Sequence, residues 1–371
     1  MRILFTTDQV YLHGGIEKVM ATKANYFSEK LGHEVIILTT EQKGNSSCYT
    51  LSESIKIEDL GINYHREKSY FHPSNIRKVV QHFSKWKKAI RNLNPDVIIV
   101  CNYAFDFYWV PFFSGKRTTI KEYHSSRYYS FEQRKKAGFL QRLKFKINDF
   151  IESKYSRIAV LNNDEKQFYL SKNITVIPNP IEKSDFKAEL VSTKAIAAGR
   201  IAPIKGFENL IEVWRLVVNR HPNWAIDIYG QGDENYISQL QKKSKENKLE
   251  NHVFFKTATN DLQKTMLDYS MYLMTSHSEC FPMVLLESMN VGLPIVSFNC
   301  PTGPRNIVTN NEDGLLAEDQ NVIDLANKIC FLIENENIRK QMGERSKENI
   351  QRFYVQNVMN NWEQLFSSNK E

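Results

Sequence analysis

The sequence predicts an α/β protein built from two doubly wound halves, each a parallel sheet covered by helices on both faces. Its 371 residues exceed the roughly 250–300 at which a single hydrophobic core stops growing. Short apolar runs alternate with amphipathic stretches, once up to residue 180 and again from about residue 195, the pattern of strands joined by helical crossovers. The two series meet near residues 178–190, after Pro178-Asn179-Pro180.

In the first half, strands are expected at residues 3–6, 35–39, 97–101 and 158–161, with a helix over 15–31 and an apolar-leaning strand end at 118–120. In the second, strands are expected at 195–198, 226–229, 253–255, 271–274 and 295–298, with helices over 206–219 and 236–245. Residues 338–365 have helical period and are rich in Lys, Arg, Glu and Gln. The expected divisions are a Rossmann-like domain over 1–182, a second over 183–350, and a C-terminal helix over 351–371.

A composition of 42% hydrophobic and 25% charged residues is that of a globular protein and excludes a disordered chain. The five cysteines are scattered and odd in number, which argues against a disulfide framework or a zinc site and for a reduced, cytoplasmic compartment. The opening Met1-Arg2-Ile3-Leu4-Phe5 is too short for a signal peptide and reads as a first strand. The longest apolar-leaning run, 97–113, is broken by Asn102, Asp106 and Pro111, so membrane contact is expected to be peripheral at most. Charge is uneven. Residues 1–180 hold 28 Lys and Arg against 17 Asp and Glu, while the remainder holds 21 against 25.

The most informative segment is Ser276-His277-Ser278-Glu279-Cys280-Phe281-Pro282-Met283-Val284-Leu285-Leu286-Glu287-Ser288-Met289. It reads as strand, loop and helix start, with Glu279 in the loop and Glu287 on the first helical turns. The N–H groups of residues 281–284 would face an anion such as a phosphate. Two carboxylate acceptors beside an anion hole suit a nucleotide sugar. Ala198-Gly199-Arg200-Ile201-Ala202-Pro203-Ile204-Lys205-Gly206 leaves a strand and opens a helix, so that Arg200 and Lys205 could flank a diphosphate. His13-Gly14-Gly15-Ile16-Glu17 follows the first strand, where Gly14 and Gly15 would let backbone approach a phosphate; it is no dinucleotide fingerprint.

The Glu279–Glu287 segment, followed by Gly292-Leu293-Pro294-Ile295-Val296, Pro301-Thr302-Gly303-Pro304-Arg305 and Asn311-Glu312-Asp313-Gly314-Leu315-Leu316, resembles the signature of retaining glycosyltransferases of the GT-B fold, family 4. That resemblance implies two Rossmann-like domains with the donor in the cleft between them, and a C-terminal helix over 351–371 that crosses back toward the first domain. It implies that Glu279 contacts the donor sugar, that Glu287 holds the ribose, and that Cys280, Phe281, Pro282, Met283 and Val284 line the donor. It makes Gly199, Arg200 and Lys205 the diphosphate site, puts Gly14 and Gly15 over the donor phosphates, and places His124 at the sugar C6 hydroxyl or the acceptor side. Tyr229-Gly230-Gln231-Gly232-Asp233 would lie near the nucleobase.

The implied reaction is metal-independent transfer, with retention, from a nucleotide-activated hexose, most simply UDP-linked; no cofactor is expected beyond that co-substrate. No Asp-x-Asp metal motif stands near a strand end. Pro301-Thr302-Gly303-Pro304-Arg305 is similar to bacterial transferases that build surface polysaccharides, which implies a glycan or polyprenyl-diphosphate-linked sugar as acceptor. Two basic, aromatic segments suit an anionic membrane surface: Arg77, Lys78, Lys85, Lys87, Lys88 and Arg91 with Phe83 and Trp86, and Arg134, Lys135, Lys136, Arg142, Lys144 and Lys146 with Phe139, Leu140, Leu143, Phe145 and Ile147. The alternatives are a nucleotide-sugar epimerase on the same scaffold and a basic nucleic-acid-binding protein, although no nucleic-acid module is present and no nucleic-acid partner is expected.

Overall fold

The computed structural model describes residues 1–69, 72–102 and 104–367. The chain divides into two compact units, Met1–Pro180 completed by Val355–Glu371, and Ile181–Tyr354.

The first unit runs β1 (Arg2–Thr7), α1 (Gly15–Glu29), β2 (Glu34–Thr39), β3 (Lys56–Asp59), α2 (Pro73–Leu93), β4 (Val97–Val100), α3 (Asp106–Phe113), β5 (Thr118–Glu122), α4 (Tyr128–Lys136), α5 (Phe139–Glu152), β6 (Arg157–Val160) and β7 (Ile174–Val176). Its sheet has the order β3-β2-β1-β4-β5-β6-β7, parallel throughout. The second unit runs β8 (Lys194–Ala198), α6 (Phe207–Arg220), β9 (Ala225–Tyr229), α7 (Glu234–Glu246), β10 (Val253–Lys256), α8 (Leu262–Met266), β11 (Met271–Met274), α9 (Met283–Asn290), β12 (Ile295–Phe298), β13 (Gly314–Ala317), α10 (Val322–Glu334) and α11 (Glu336–Asn349). Its sheet is also parallel, in the order β10-β9-β8-β11-β12-β13. The helix α12 (Val355–Ser367) returns the chain to the first unit.

Strands buried on both faces need near-continuous apolar sequence. Ile98, Ile99 and Val100 are wholly inaccessible to solvent, as are Met271, Ile295 and Val296. The edge strand β3, by contrast, is largely exposed, and β7 is half-buried throughout. Helix ends follow local chemistry. α2 opens with Pro73 behind His72 and stops at Asn94, whose left-handed backbone (φ 41°) ends the turn. Asp233 and Asn321 cap α7 and α10 by accepting N–H groups of the first turn.

The helical period over 338–365 resolves into two helices rather than one. Residues Ile350–Phe353 form a 3-10 turn whose Ile350 and Phe353 are buried, and Tyr354 is extended and bridges to Ile181. Those two apolar anchors and the bridge cost the helix its continuity. Beyond the break, Val358, Met359, Trp362, Leu365 and Phe366 of α12 join the core between β1 and α1.

Within that core lies a buried ion pair, Lys23 with Glu122, both almost fully inaccessible. The Lys23 ammonium also lies 4.6 Å from the Trp362 ring centre. On the opposite face of the sheet, Trp86 is only 1% exposed among Ile98, Trp109 and Tyr155, so the tryptophan expected on a lipid-facing segment is core.

His82 is buried in the same region, edge-on to Trp109 at 4.9 Å between ring centres, with Nδ1 3.1 Å from the Tyr64 hydroxyl. Burial pushes its pKa down to about 4, against a weaker upward pull from Asp8. The unfolded chain protonates this ring near pH 6.5 and the folded one near 4, so its stability contribution is complete above the upper value and is lost as pH falls toward the lower. The loss reaches about 3 kcal/mol. Thermal unfolding measured from about pH 7 down to about 4.5 should therefore fall more steeply for the parent than for His82→Gln. Parallel curves would count against this assignment.

Candidate functional site

Both sheets reverse strand order beside their first strand, between β1 and β4 and between β8 and β11. In open parallel sheets, loops leaving the carboxyl ends of strands at such a switch point form the ligand crevice. Gly14 and Gly15 of the first unit and Gly199, Arg200, Lys205 and Glu279 of the second lie on those loops or at their ends, whereas His124 follows β5 and Glu287 lies within α9.

In the second unit the chain leaves β8 at Ala198, and Gly199 adopts φ +152°, a conformation that L side chains rarely take. Arg200 follows, exposed, and Pro203–Lys205 form a 3-10 turn before α6. The Lys205 ammonium donates to Glu279 Oε1 at 2.6 Å, and the Ser276 hydroxyl donates to the same oxygen at 2.7 Å. One side-chain and one backbone hydrogen bond hold the two loops together: Thr275 Oγ1 donates to the Lys205 carbonyl and the His277 N–H to the Ile204 carbonyl. With side chains 23% and 11% exposed, Lys205 and Glu279 form a half-shielded ion pair whose partners each lose most if the other is removed. Two candidates that the sequence reading assigned to separate tasks are thus one unit of charge.

The backbone of Glu279 is fixed from the other side. It bridges to Thr302, whose hydroxyl donates to the Glu279 carbonyl at 2.6 Å. Gly303 lies so close that a Cβ there would sit 2.5 Å from the Glu279 Cβ. Thr302 and Gly303 therefore buttress the backbone and Cβ of Glu279, a role that their sequence did not announce. Tyr272 was also missed. Its buried hydroxyl donates to the Ala198 carbonyl, and burial, then the nearby charges of Glu279 and Glu287, push its pKa far up. A buried tyrosine inside an apolar strand was the signal available for it.

Glu287 sits in the second turn of α9 and is 6% exposed. The N-terminal donors of that helix differ from expectation. Pro282 is the N-cap residue and has no N–H, and the Leu285 N–H is satisfied by the Pro282 carbonyl, so Met283 and Val284 supply the first helical N–H groups. Cys280 and Phe281 are buried, and the Phe281 ring packs edge-on against Phe353 at 5.3 Å. The five cysteines are all free thiols.

In the first unit, Gly14 caps α1 with extended backbone, and a Cβ there would collide with Glu17 Oε2 at 2.2 Å. At Gly15 a Cβ would meet nothing within 4 Å, so the loop leaves open space there. Glu17 accepts from Gln9 Nε2 at 2.8 Å. Burial raises its pKa, against the hydrogen bonds its carboxylate accepts and the nearby His124. His124 follows β5, its side chain 6% exposed and its Nε2 3.5 Å from Glu122 Oε2. Burial works to raise the Glu122 pKa, but Lys23 and His124 overcome it and hold the carboxyl far below the usual range.

Cys101, Glu122 and His124 converge within 4.8 Å, close enough to suggest a cation site. The donor set does not fit one. Lys23 already engages both Glu122 oxygens, and burial, with Glu122 beside it, pushes the Cys101 thiol far up, away from the thiolate that a metal requires.

Two family models match the chain in succession: Glycosyltransferase Family 4 over residues 13–185 and Glycosyl transferases group 1 over residues 181–349. A Haemophilus influenzae protein described as an uncharacterized glycosyltransferase is 27% identical over 358 residues, 94% of this chain and 95% of its own length. The Staphylococcus aureus poly(ribitol-phosphate) alpha-N-acetylglucosaminyltransferase is 29% identical over 226 residues, which span 60% of this chain but only 44% of that protein. Among solved structures, the S. aureus TarM G117R mutant, in complex with fondaparinux, alpha-GlcNAc-glycerol and UDP, matches with a TM-score of 0.80 at 16% identity, covering 98% of this chain and 99% of that one. Two Rossmann-like units of parallel sheet in one chain define the GT-B architecture. The chain belongs to the glycosyltransferases of that fold.

Gly303→Ala tests the buttress behind Glu279. Because φ at this position is −78°, alanine is tolerated by the backbone and only the contact with Glu279 is disturbed. If Glu279 acts at the reacting centre, turnover should drop by about ten- to a hundredfold while the far-UV spectrum is unchanged, the scale of a reacting group moved by a fraction of an ångström. Parent-like turnover would show that Glu279 is not held from this side.

Proposed function

We propose that the chain is a family 4 enzyme that transfers a hexose, with retention of configuration, from a UDP-linked donor to a glycan or lipid-linked acceptor in surface polysaccharide synthesis. The observation that carries this reading is the Lys205–Glu279–Ser276 cluster at the carboxyl ends of β8 and β11, beside the N-terminus of α9. A cation, a carboxylate and helical N–H groups in one place suit a diphosphate joined to a sugar. The names of the polymer-modifying relative and the UDP in the structural neighbour support the substrate class.

In this reading Lys205, Arg200 and the Met283 and Val284 N–H groups take up negative charge as the bond between the anomeric carbon and the phosphate oxygen breaks. Glu279 orients the sugar, and Glu287 accepts from the ribose. The acceptor oxygen bonds to the anomeric carbon on the face that the leaving group vacates, and its proton passes to the departing phosphate oxygen. His124 keeps the role that the resemblance gives it, at the C6 hydroxyl or the acceptor side. No metal and no cofactor beyond the donor is needed in this scheme, because the cations are side chains. Epimerisation would consume donor without an acceptor, so a panel of nucleotide sugars with and without acceptor separates the two activities. An inverted anomeric centre in the product, read by NMR coupling constants, would overturn retention.

Glu279→Ala should remove most turnover while nucleotide affinity is kept, since its contact matters most as charge develops at the anomeric carbon. Glu287→Ala should instead weaken UDP binding by about tenfold in calorimetry, the scale of one lost charged hydrogen bond. Lys205→Ala should lower kcat by about ten- to a thousandfold. The double variant Lys205→Ala with Glu279→Ala should cost little more than the worse single one, because each removes the other's partner. Full additivity would mean that the pair does not act as one element.

A further inference from the structure

The first unit bears an apolar face that its own core does not use. Helix α5 turns Phe139, Leu140, Leu143, Ile147 and Phe150 outward, each between 46% and 82% exposed. At about 100° per residue these five fall within an arc of about 100°, one side of the helix. The face extends to α3, where exposed Phe112 stacks on Phe150 at 6.2 Å between ring centres. Exposed Phe113 next to it meets Phe83 of α2 edge-on at 5.0 Å, and Ile76 and Val80, also exposed, lie on the Phe83 side of α2 by helical spacing. Apolar patches that run over three helices in this way mark interaction sites.

Charge identifies what covers it. α2 carries six Lys and Arg and no Asp or Glu. α5 has two acids, and both are committed inward, Asp149 to Arg134 and Glu152 to Arg127. Lys144 and Lys146, both exposed, stand on either side of the apolar stripe. Among the described residues no helix is long and apolar enough to cross a membrane, so the contact this face can make is interfacial. A protein partner of ordinary composition would need acidic groups opposite every rim lysine as well as an apolar centre. A bilayer with anionic headgroups offers both over any area, with lysine stems lying along the boundary and their ammonium groups among phosphates.

We propose that α5, with the exposed side chains of α3 and α2, docks the protein on an anionic phospholipid bilayer. The inference rests on this surface and not on the donor chemistry, so a failed transfer assay leaves it intact. The full chain is sedimented with vesicles of phosphatidylglycerol mixed with phosphatidylcholine, and with phosphatidylcholine alone. Only the first should carry it down, and Lys144→Gln with Lys146→Gln should lower partitioning by about thirtyfold. Phe139→Ser, Leu140→Ser and Leu143→Ser together should abolish binding; these positions are exposed, and a retained thermal transition confirms the fold. Raising salt weakens the lysine contribution and should reproduce the effect of the glutamines if the serine variant fails to fold. The proposal is overturned if the parent ignores anionic vesicles, binds both kinds equally, or keeps its binding in the serine variant. It is also overturned if the serine variant changes oligomeric state instead, which would mean that a second copy covers the face.

Discussion

A parallel strand can be reached only by a crossover, and that constraint arranges everything else in this protein. Each strand must end at the same edge of its sheet before the chain turns back through a helix, so six or seven loops are gathered along one edge. Where the order reverses, beside β1 and beside β8, neighbouring loops depart in opposite directions and leave room between them. Charged side chains delivered there from distant parts of the sequence must satisfy one another. Lys205 and Glu279, 74 residues apart, do so in the second unit; in the first, Lys23 of α1 and Glu122 at the end of β5, 99 apart, pair inside the core instead.

The two pairs show different uses of the same physics. Lys23 and Glu122 are sealed from water, with an aromatic ring over the ammonium, so that charge is fixed for good and His124 rests against it. Lys205 and Glu279 keep contact with solvent. A pair of the second kind can exchange part of its mutual attraction for a ligand's charge; one of the first kind cannot without exposing a buried ion.

The architecture was legible because fully buried strands must be apolar along their whole length, as at Met271–Met274 and Val97–Val100. β3 and β7 escaped notice because edge strands bury little and carry no such run. In the site, Glu279, Glu287, Arg200 and Lys205 were readable from type and spacing. Their pairing was not, since periodicity carries no information about which loops touch. Thr302, Ser276 and Tyr272 are small or ordinary residues whose importance comes only from the carbonyl or carboxylate they meet. The basic segments were readable as amphipathic, but the burial of Trp86 against the exposure of Phe139 could be decided only by the tertiary neighbours of each helix.

The return of α12 has a consequence for how the molecule is made. Trp362 lies over Lys23, and Val358, Met359 and Phe366 fill the core that β1 and α1 begin. Residues 181–354 form a continuous stretch with a core of their own and can close as soon as they leave the ribosome. The first unit is translated earlier yet must wait, its core open on one side and its buried lysine uncovered, until the helix that follows the whole second unit has been synthesised. The order of synthesis and the order of completion are therefore reversed. During that interval the chain's most exposed apolar surface is the half that emerged first.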